Sequence, residues 1–189
     1  MDDRLEEREV VTIRTTCPAD AEALCALRVE GLRAHPTAFV TTAAEALAED
    51  WRKRAAEGKG EGLSAIFVAE AGGELVAMTG IVASPRERLR HSAFIWGVYV
   101  RPAWRGGRLA ERLVNAAVEW ARGKGCTIVR LGVTAGNEAA YRSYVRCGFA
   151  VYGRERASQV VEGVEYEEVL MDRRVGRAHG DQSSRQSHA

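Results

Sequence analysis

The sequence predicts a single α/β domain, of the α+β kind, with about six to seven strands and about four helices. Three observations predict it. Short runs rich in valine, isoleucine and threonine recur along the chain. Two of them, Ser64–Glu70 and Leu75–Ser84, are separated only by Ala71-Gly72-Gly73-Glu74, which reads as a hairpin turn. Other runs are separated by stretches with apolar residues at helical spacing, opened by capping residues or closed by glycines.

Each element follows in order. Val10–Arg14 is a β-branched first strand. Thr16-Cys17-Pro18 opens a helix, with Pro tolerated in its first turn. Leu24, Leu27 and Leu32 lie near helical spacing, and the helix ends around His35-Pro36. Thr42-Ala43-Ala44-Glu45 has the capping-box form and starts a second helix. Leu47 and Trp51 share one face of it, and Gly58 and Gly60 stop it. The two helices and their link, Ala34 to Thr41, form a pair between the first two strands. After the hairpin, Pro85 to Arg90 is a charged loop, and Ala93–Val100 is a strand rich in aromatics and valine. The next helix runs from Leu109 to Arg122. Leu109, Leu113, Ala117 and Trp120 or Ala121 form its apolar stripe, with Glu111, Arg112 and Glu119 toward water. Gly123-Lys124-Gly125 ends it. Thr127–Thr134 is a strand, and Asn137 caps a last helix through Arg146 or Cys147. Phe149–Arg156 and Val164–Asp172 close the domain as two strands. The domain is expected over residues 10–172, with 1–9 and 173–189 as flexible tails.

Composition bounds the function. The 189 residues suffice for one domain with a sizeable core. A net charge of +1 gives no global argument for nucleic acid or a membrane surface. No apolar run is long enough to span a bilayer, and the charged start, Met1 to Glu9, lacks the apolar core of a signal peptide. A cytoplasmic protein is expected. Cys17, Cys25, Cys126 and Cys147 show no metal-ligand spacing, so no metal is expected, and Cys126 and Cys147 sit among apolar residues as small core side chains.

The chemistry gathers at helix starts. Val98-Tyr99-Val100-Arg101-Pro102-Ala103-Trp104-Arg105-Gly106-Gly107-Arg108-Leu109-Ala110 reads as a strand, a basic glycine turn and the first turn of a helix. Gly106 and Gly107 allow close backbone approach. The amides from Gly106 to Ala110 are among those a helix leaves unpaired, and the helix dipole adds to Arg105 and Arg108. Such a junction suits a pyrophosphate, although a tight basic strand-to-helix turn has the same residues. The pattern is neither a P-loop nor a dinucleotide fingerprint.

A second segment decides between them. Asn137-Glu138-Ala139-Ala140-Tyr141-Arg142-Ser143-Tyr144-Val145-Arg146-Cys147-Gly148-Phe149 resembles the N-x-x-A-x-x-x-Y-x-x-x-G-F signature of the GNAT family of N-acetyltransferases. Arg105 to Ala110 is similar to that family's [RQ]-x-x-G-x-[GA] motif, and Val98 to Pro102 to the strand before it. One position departs: the family's middle glycine is Arg108, preceded by Gly107. The amide of residue 108 is retained, since only the side chain differs.

The resemblance implies a mixed, mostly antiparallel central sheet and acetyl-CoA as cosubstrate. It implies that Val98, Tyr99 and Val100 pair with the pantetheine arm, admitted by a splay between this strand and Ile128–Val133. An N–H near Val98 or Tyr99 then polarises the thioester carbonyl. Arg105, Gly106, Gly107, Arg108, Leu109 and Ala110 hold the pyrophosphate, Asn137 bonds the pantetheine, and Tyr144 contacts the sulfur and protonates it as the catalytic acid. The reaction implied is direct attack by a primary amine of a small molecule, with both substrates bound together. A peptide N-terminus or lysine is an alternative acceptor, and an acyl-CoA-binding module without turnover an alternative role. The family's dimers leave room for a homodimer.

No base is assigned. The strand position that carries a glutamate in several family members is Gly132 here, and His91 to Gly97 contains no carboxylate. His91 and Glu30 are the remaining candidates, and His91 reads as an exposed residue at a strand start. Gly31 to Phe39 is expected to border the acceptor pocket, with Phe39, Trp96 and Tyr99 as lining or as core. Glu165, Glu167 and Glu168 on the last strand suit a cationic acceptor, but a solvated strand face explains them as well and is the preferred reading.

Overall fold

The computed structural model describes residues 10–56 and 62–176. Seven strands form one sheet: β1 (Thr12–Thr15), β2 (Ser64–Ala71), β3 (Glu74–Ala83), β4 (Ser92–Val100), β5 (Ile128–Thr134), β6 (Ala150–Val161) and β7 (Val164–Arg174). Their spatial order is β1-β2-β3-β4-β5-β7-β6. Every neighbouring pair is antiparallel except β4 and β5, which run parallel. The mixed, mostly antiparallel sheet is therefore as expected.

The β2–β3 hairpin turns through Gly72 and Gly73, with φ of +56° and +81°. Positive φ at both central residues matches the twist of the strands, and glycine adopts it without penalty.

Among the described residues five helices flank the sheet, one more than expected: α1 (Ala21–Ala34), α2 (Ala43–Ala48), α3 (Trp51–Ala56), α4 (Leu109–Gly123) and α5 (Glu138–Arg146). A single turn of 3-10 helix, Pro18–Asp20, precedes α1. The extra helix comes from a break in the second one. Thr42 and Glu45 do form the capping box, with the Glu45 N–H donating to Thr42 Oγ1 at 3.2 Å. Glu49 then turns extended, and Asp50 restarts a helix by accepting from the Lys53 N–H at 3.0 Å. Leu47 and Trp51 accordingly do not share a face: Leu47 is 57% exposed and Trp51 is 7% exposed. Gly58 and Gly60, expected to stop this helix, lie outside the described residues.

Two apolar layers result. On one face of the sheet, α1, α2 and α3 bury Leu24, Leu27 and Trp51 against Ile66, Val68 and Met78. On the other, α4 and α5 bury Leu113, Val114, Ala117 and Tyr144 against Ile81, Leu131, Val133 and Met171. Cys126 and Cys147 are buried in this second layer as free thiols. The sheet also extends further than the sequence suggests. β7 continues through Arg173 and Arg174, paired with Val129 and Ile128, and Val175 beyond them is buried. Residues 173–175 thus belong to the folded unit, because β5 offers backbone partners up to Ile128 and the Val175 N–H donates to the Thr127 carbonyl at 3.0 Å.

Candidate active site

The site begins as a fault in strand pairing. β3 and β4 pair at Met78 with Tyr99 and next at Gly80 with Trp96. Gly97 and Val98 therefore face Thr79 alone, which is a β-bulge. Gly97 has a φ of +66°, a left-handed conformation that favours glycine. On the other side, β4 pairs with β5 only over Ser92–Phe94 and Ile128–Arg130. Beyond these residues the two strands part, which is the expected splay. A cavity of about 520 Å³ opens at the parting, lined from β4 by Trp96 to Val100 and from β5 by Gly132 to Thr134.

The glycine turn closes one end of this cavity. Arg105, Gly106, Arg108, Leu109 and Ala110 all line it, whereas Gly107 is not among the lining residues. The first bond inside α4 runs from the Arg112 N–H to the Arg108 carbonyl at 3.0 Å. The amides from Gly106 to Glu111 have no backbone partner among the described residues, whereas the Arg105 N–H donates to the Pro102 carbonyl at 3.2 Å. Arg108 itself has a φ of +58°, which accounts for glycine at this position in the related motif. Arg105 is less free than expected. Its Nε donates to the Val100 carbonyl at 3.0 Å, and its Nη2 lies 3.0 Å from His35 Nε2. Glu111 is not in water either. It is 9% exposed and accepts from Arg146 Nε at 2.6 Å, because α5 crosses the start of α4.

α5 delivers the next groups. Asn137 Oδ1 accepts from the Ala140 N–H at 3.3 Å as the helix cap, so its amide nitrogen is the end that remains for a ligand. Tyr144 lines the cavity from the opposite layer and is buried, its ring 6.3 Å from that of Phe149. Burial pushes its phenol well above the usual range, with smaller contributions from Cys147 and Glu168. The hydroxyl is thus protonated throughout the neutral range.

The third group comes from β7. Val169 and Met171 point into the α4–α5 layer, so the alternation of a strand places Glu168 on the α1 side of the sheet. There its carboxylate lies over Gly132: a Cβ on Gly132 would stand 2.2 Å from Glu168 Cδ. Ser158 Oγ donates to Glu168 Oε2 at 3.4 Å. Burial raises the Glu168 carboxyl above the ordinary carboxylate range, Ser158 opposes this, and Glu155 adds to it. The loop between α1 and α2 covers the same region. The Thr37 carbonyl accepts from Thr134 Oγ1 at 2.7 Å and from the Gln159 amide, while Ala38 and Phe39 line the cavity.

The other sequence candidates are placed elsewhere. His91 is exposed at the far end of β4 and does not line the cavity. Glu30 is held by Arg101 Nε at 3.0 Å and by the Tyr99 hydroxyl at 2.9 Å. Phe39, Trp96 and Tyr99 do line the cavity. Glu167 pairs with Arg154, and Glu165 is exposed.

Residues 29–149 match the model of the acetyltransferase (GNAT) family. The chain belongs to the GNAT acetyltransferase family. The family's reaction is acyl transfer from acetyl-CoA, and that coarse activity comes with membership. Similar folds are found among solved structures. A GNAT-family acetyltransferase from Streptococcus pneumoniae superposes with a TM-score of 0.79 at 22% identity, over 88% of this chain and 100% of its own. A ribosomal-protein-alanine N-acetyltransferase from Brucella melitensis gives 0.71 at 25% identity, over 87% and 99%. A protein from Salmonella typhimurium described as an acetyltransferase, solved with its cofactor acetyl-CoA, gives 0.74 at 20% identity, over 93% and 99%. The chain matches no curated protein.

The residues fit the cofactor of a GNAT enzyme. Parted strands give an apolar slot, and the turn before α4 gives free amides beside Arg108. The turn and the α5 residues named from the sequence meet at one cavity, whereas Glu168, expected on a solvated strand face, is half-buried over Gly132. The signal was present in Gly132, whose missing side chain leaves room that a neighbouring strand can fill.

Proposed function

We propose that this protein is an N-acetyltransferase that moves the acetyl group of acetyl-CoA to a primary amine of a small molecule, by direct attack within a ternary complex. The observation that carries the reading is one cavity lined by both the glycine turn and Tyr144, with Gly132 in its wall and the Glu168 carboxylate seated over Gly132.

Acetyl-CoA, when bound, supplies an acyl group activated as a thioester. The turn from Arg105 to Ala110 holds its pyrophosphate, the β5-facing edge of β4 from Val98 to Val100 aligns its pantetheine arm, and Asn137 bonds that arm. The bulge aims a backbone N–H of Val98 or Tyr99 at the carbonyl oxygen, where negative charge develops. Glu168 accepts a proton from the acceptor's ammonium, so that the amine attacks neutral. Its raised pKa makes it a better base than an exposed carboxylate. As the C–N bond forms and the C–S bond breaks, Tyr144 donates its proton to the departing sulfur, and the proton shed by the acylated nitrogen returns through water to restore the phenol.

A small acceptor is favoured over a peptide by the loop between α1 and α2. Its Thr37 carbonyl is pinned to both β5 and β6, which narrows the acceptor side. The test is release of CoA thiol across a panel of small amines and of peptides with free N-termini or lysines. Transfer to small amines alone supports the reading. Transfer confined to peptides replaces it with the peptide reading, and binding of acetyl-CoA with no transfer to any acceptor leaves a binding module.

A further inference from the structure

A buried charge lies beside Gly97, a residue of the cavity wall. Arg28, on α1, is 6% exposed, and its Nη1 is buried with no hydrogen-bond partner among the described residues. Its guanidinium sits 4.8 Å from the Phe39 ring centroid and 5.7 Å from that of Trp96. Ring faces attract the cation but do not neutralise it. Glu49, the acid that acts on it, is engaged by Arg54 at 2.7 Å. Burial lowers the Arg28 pKa to about 10, so the group is still charged at neutral pH. A buried charge without a counter-ion is costly, and such a site is stabilised when a ligand brings the missing anion.

The position says which ligand. Nη1 lies 3.2 Å from where a Cβ of Gly97 would stand, and Gly97 is the bulge residue beside Val98. Phe39, Trp96 and Gly97 all line the cavity. A planar guanidinium with several donors matches a carboxylate. We propose that Arg28 binds a carboxylate on the acceptor, so that the acceptor is an amine of the α-amino acid class. This rests on the acetyltransferase reading above. An α-amino acid carries its carboxylate one carbon from the amine. With the carboxylate on Arg28, the amine stands beside Gly97 and the bulge, next to the β4 edge where attack is required. Polyamines are disfavoured, because Arg28 and Arg54 both face Trp96 with positive charge.

The experiment is calorimetry of the CoA-loaded protein with L-α-amino acids, each paired with its decarboxylated amine, and with thiol release measured on the same panel. At least one amino acid is expected to bind at least about tenfold tighter than its paired amine. Arg28→Gln is expected to abolish that preference with CoA affinity unchanged, and Arg28→Lys to retain part of it. Binding by no amino acid, equal binding within every pair, or an unchanged preference in a folded Arg28→Gln variant overturns the assignment. If that variant does not fold, the paired comparison in the unmodified protein decides. Transfer to amines regardless of carboxylate overturns the Arg28 site and leaves the transferase reading. Carboxylate-dependent binding without transfer does the reverse.

Discussion

The carboxyl carbon of Glu168 stands 2.2 Å from the point where a Cβ on Gly132 would lie. The two residues therefore exclude one another: β5 can be bare at this position because β7 fills it. Gly132→Ala should displace the Glu168 carboxylate, whose end can swing aside, at little cost to the fold. Glu168→Gln should lower kcat by about a hundredfold. In a Glu168→Ala background, Gly132→Glu should restore a measurable part of kcat, since it returns a carboxylate to the same space from the other strand. Absence of any loss in Glu168→Gln removes this residue from the mechanism.

The raised Glu168 pKa fixes the sign of one pH effect. A base works when deprotonated, so activity should rise with pH as Glu168 ionises above the ordinary carboxylate range. The acidic limb of the kcat profile should disappear from the residual activity of Glu168→Gln. An unchanged acidic limb assigns it to another group.

Tyr144→Phe should keep acetyl-CoA affinity within about twofold and lower kcat by ten- to a hundredfold or about that. The ring packs beside Phe149, and phenylalanine preserves this contact. The loss should shrink when the leaving group is a more acidic thiol, which needs less protonation. Equal losses with acidic and ordinary thiols, measured by single-turnover transfer, contradict the role of proton donor.

One end of the candidate site was legible in the sequence because it is local. The Asn137 cap and the glycine turn each lie within a few consecutive residues, and their backbone geometry follows from residue type. Glu168 over Gly132 depends on the register of β7 against β5 and on the bulge that turns Ser158 inward. Neither leaves a periodic trace in the sequence. Glu111 misled for the same reason. Its place on α4 suggested water, and only the crossing of α5 brings Arg146 onto it. Arg28 lies within the apolar spacing of α1, and nothing local marks it as unpaired.

Arg108 holds a φ of +58°, which costs a side-chain-bearing residue about 1–2 kcal/mol. Its ion pair with Glu111 is 4.0 Å long, and its side chain is 76% exposed, so that pair contributes little. Arg108→Gly should therefore stabilise the protein by up to about 1 kcal/mol, after the larger unfolded-state entropy of glycine is included. Arg108→Val should destabilise it, because β-branching worsens the same strain. Thermal unfolding of the three proteins orders them; a glycine variant less stable than the parent contradicts the strain.

Asp20 provides the acid-stability prediction. Arg14 clamps its carboxylate with bonds of 2.7 Å and 2.8 Å, and the Cys17 N–H adds a third at 2.8 Å. Arg14, with Cys17, holds the Asp20 pKa down to about 2 against the cost of burial. The unfolded value is near 3.9. A carboxyl whose folded pKa is the lower one adds stability above the unfolded value and loses it as pH falls toward the folded value. The contribution is about 1–2 kcal/mol, discounted because Arg14 is partly exposed. Unfolding free energy should thus fall between about pH 4 and pH 2, and Asp20→Asn should flatten that fall while lowering stability at neutral pH. Urea unfolding of both proteins across this range measures it. Parallel curves would mean that Asp20 titrates alike in the folded and unfolded chains, and that the Arg14 clamp adds nothing to the fold.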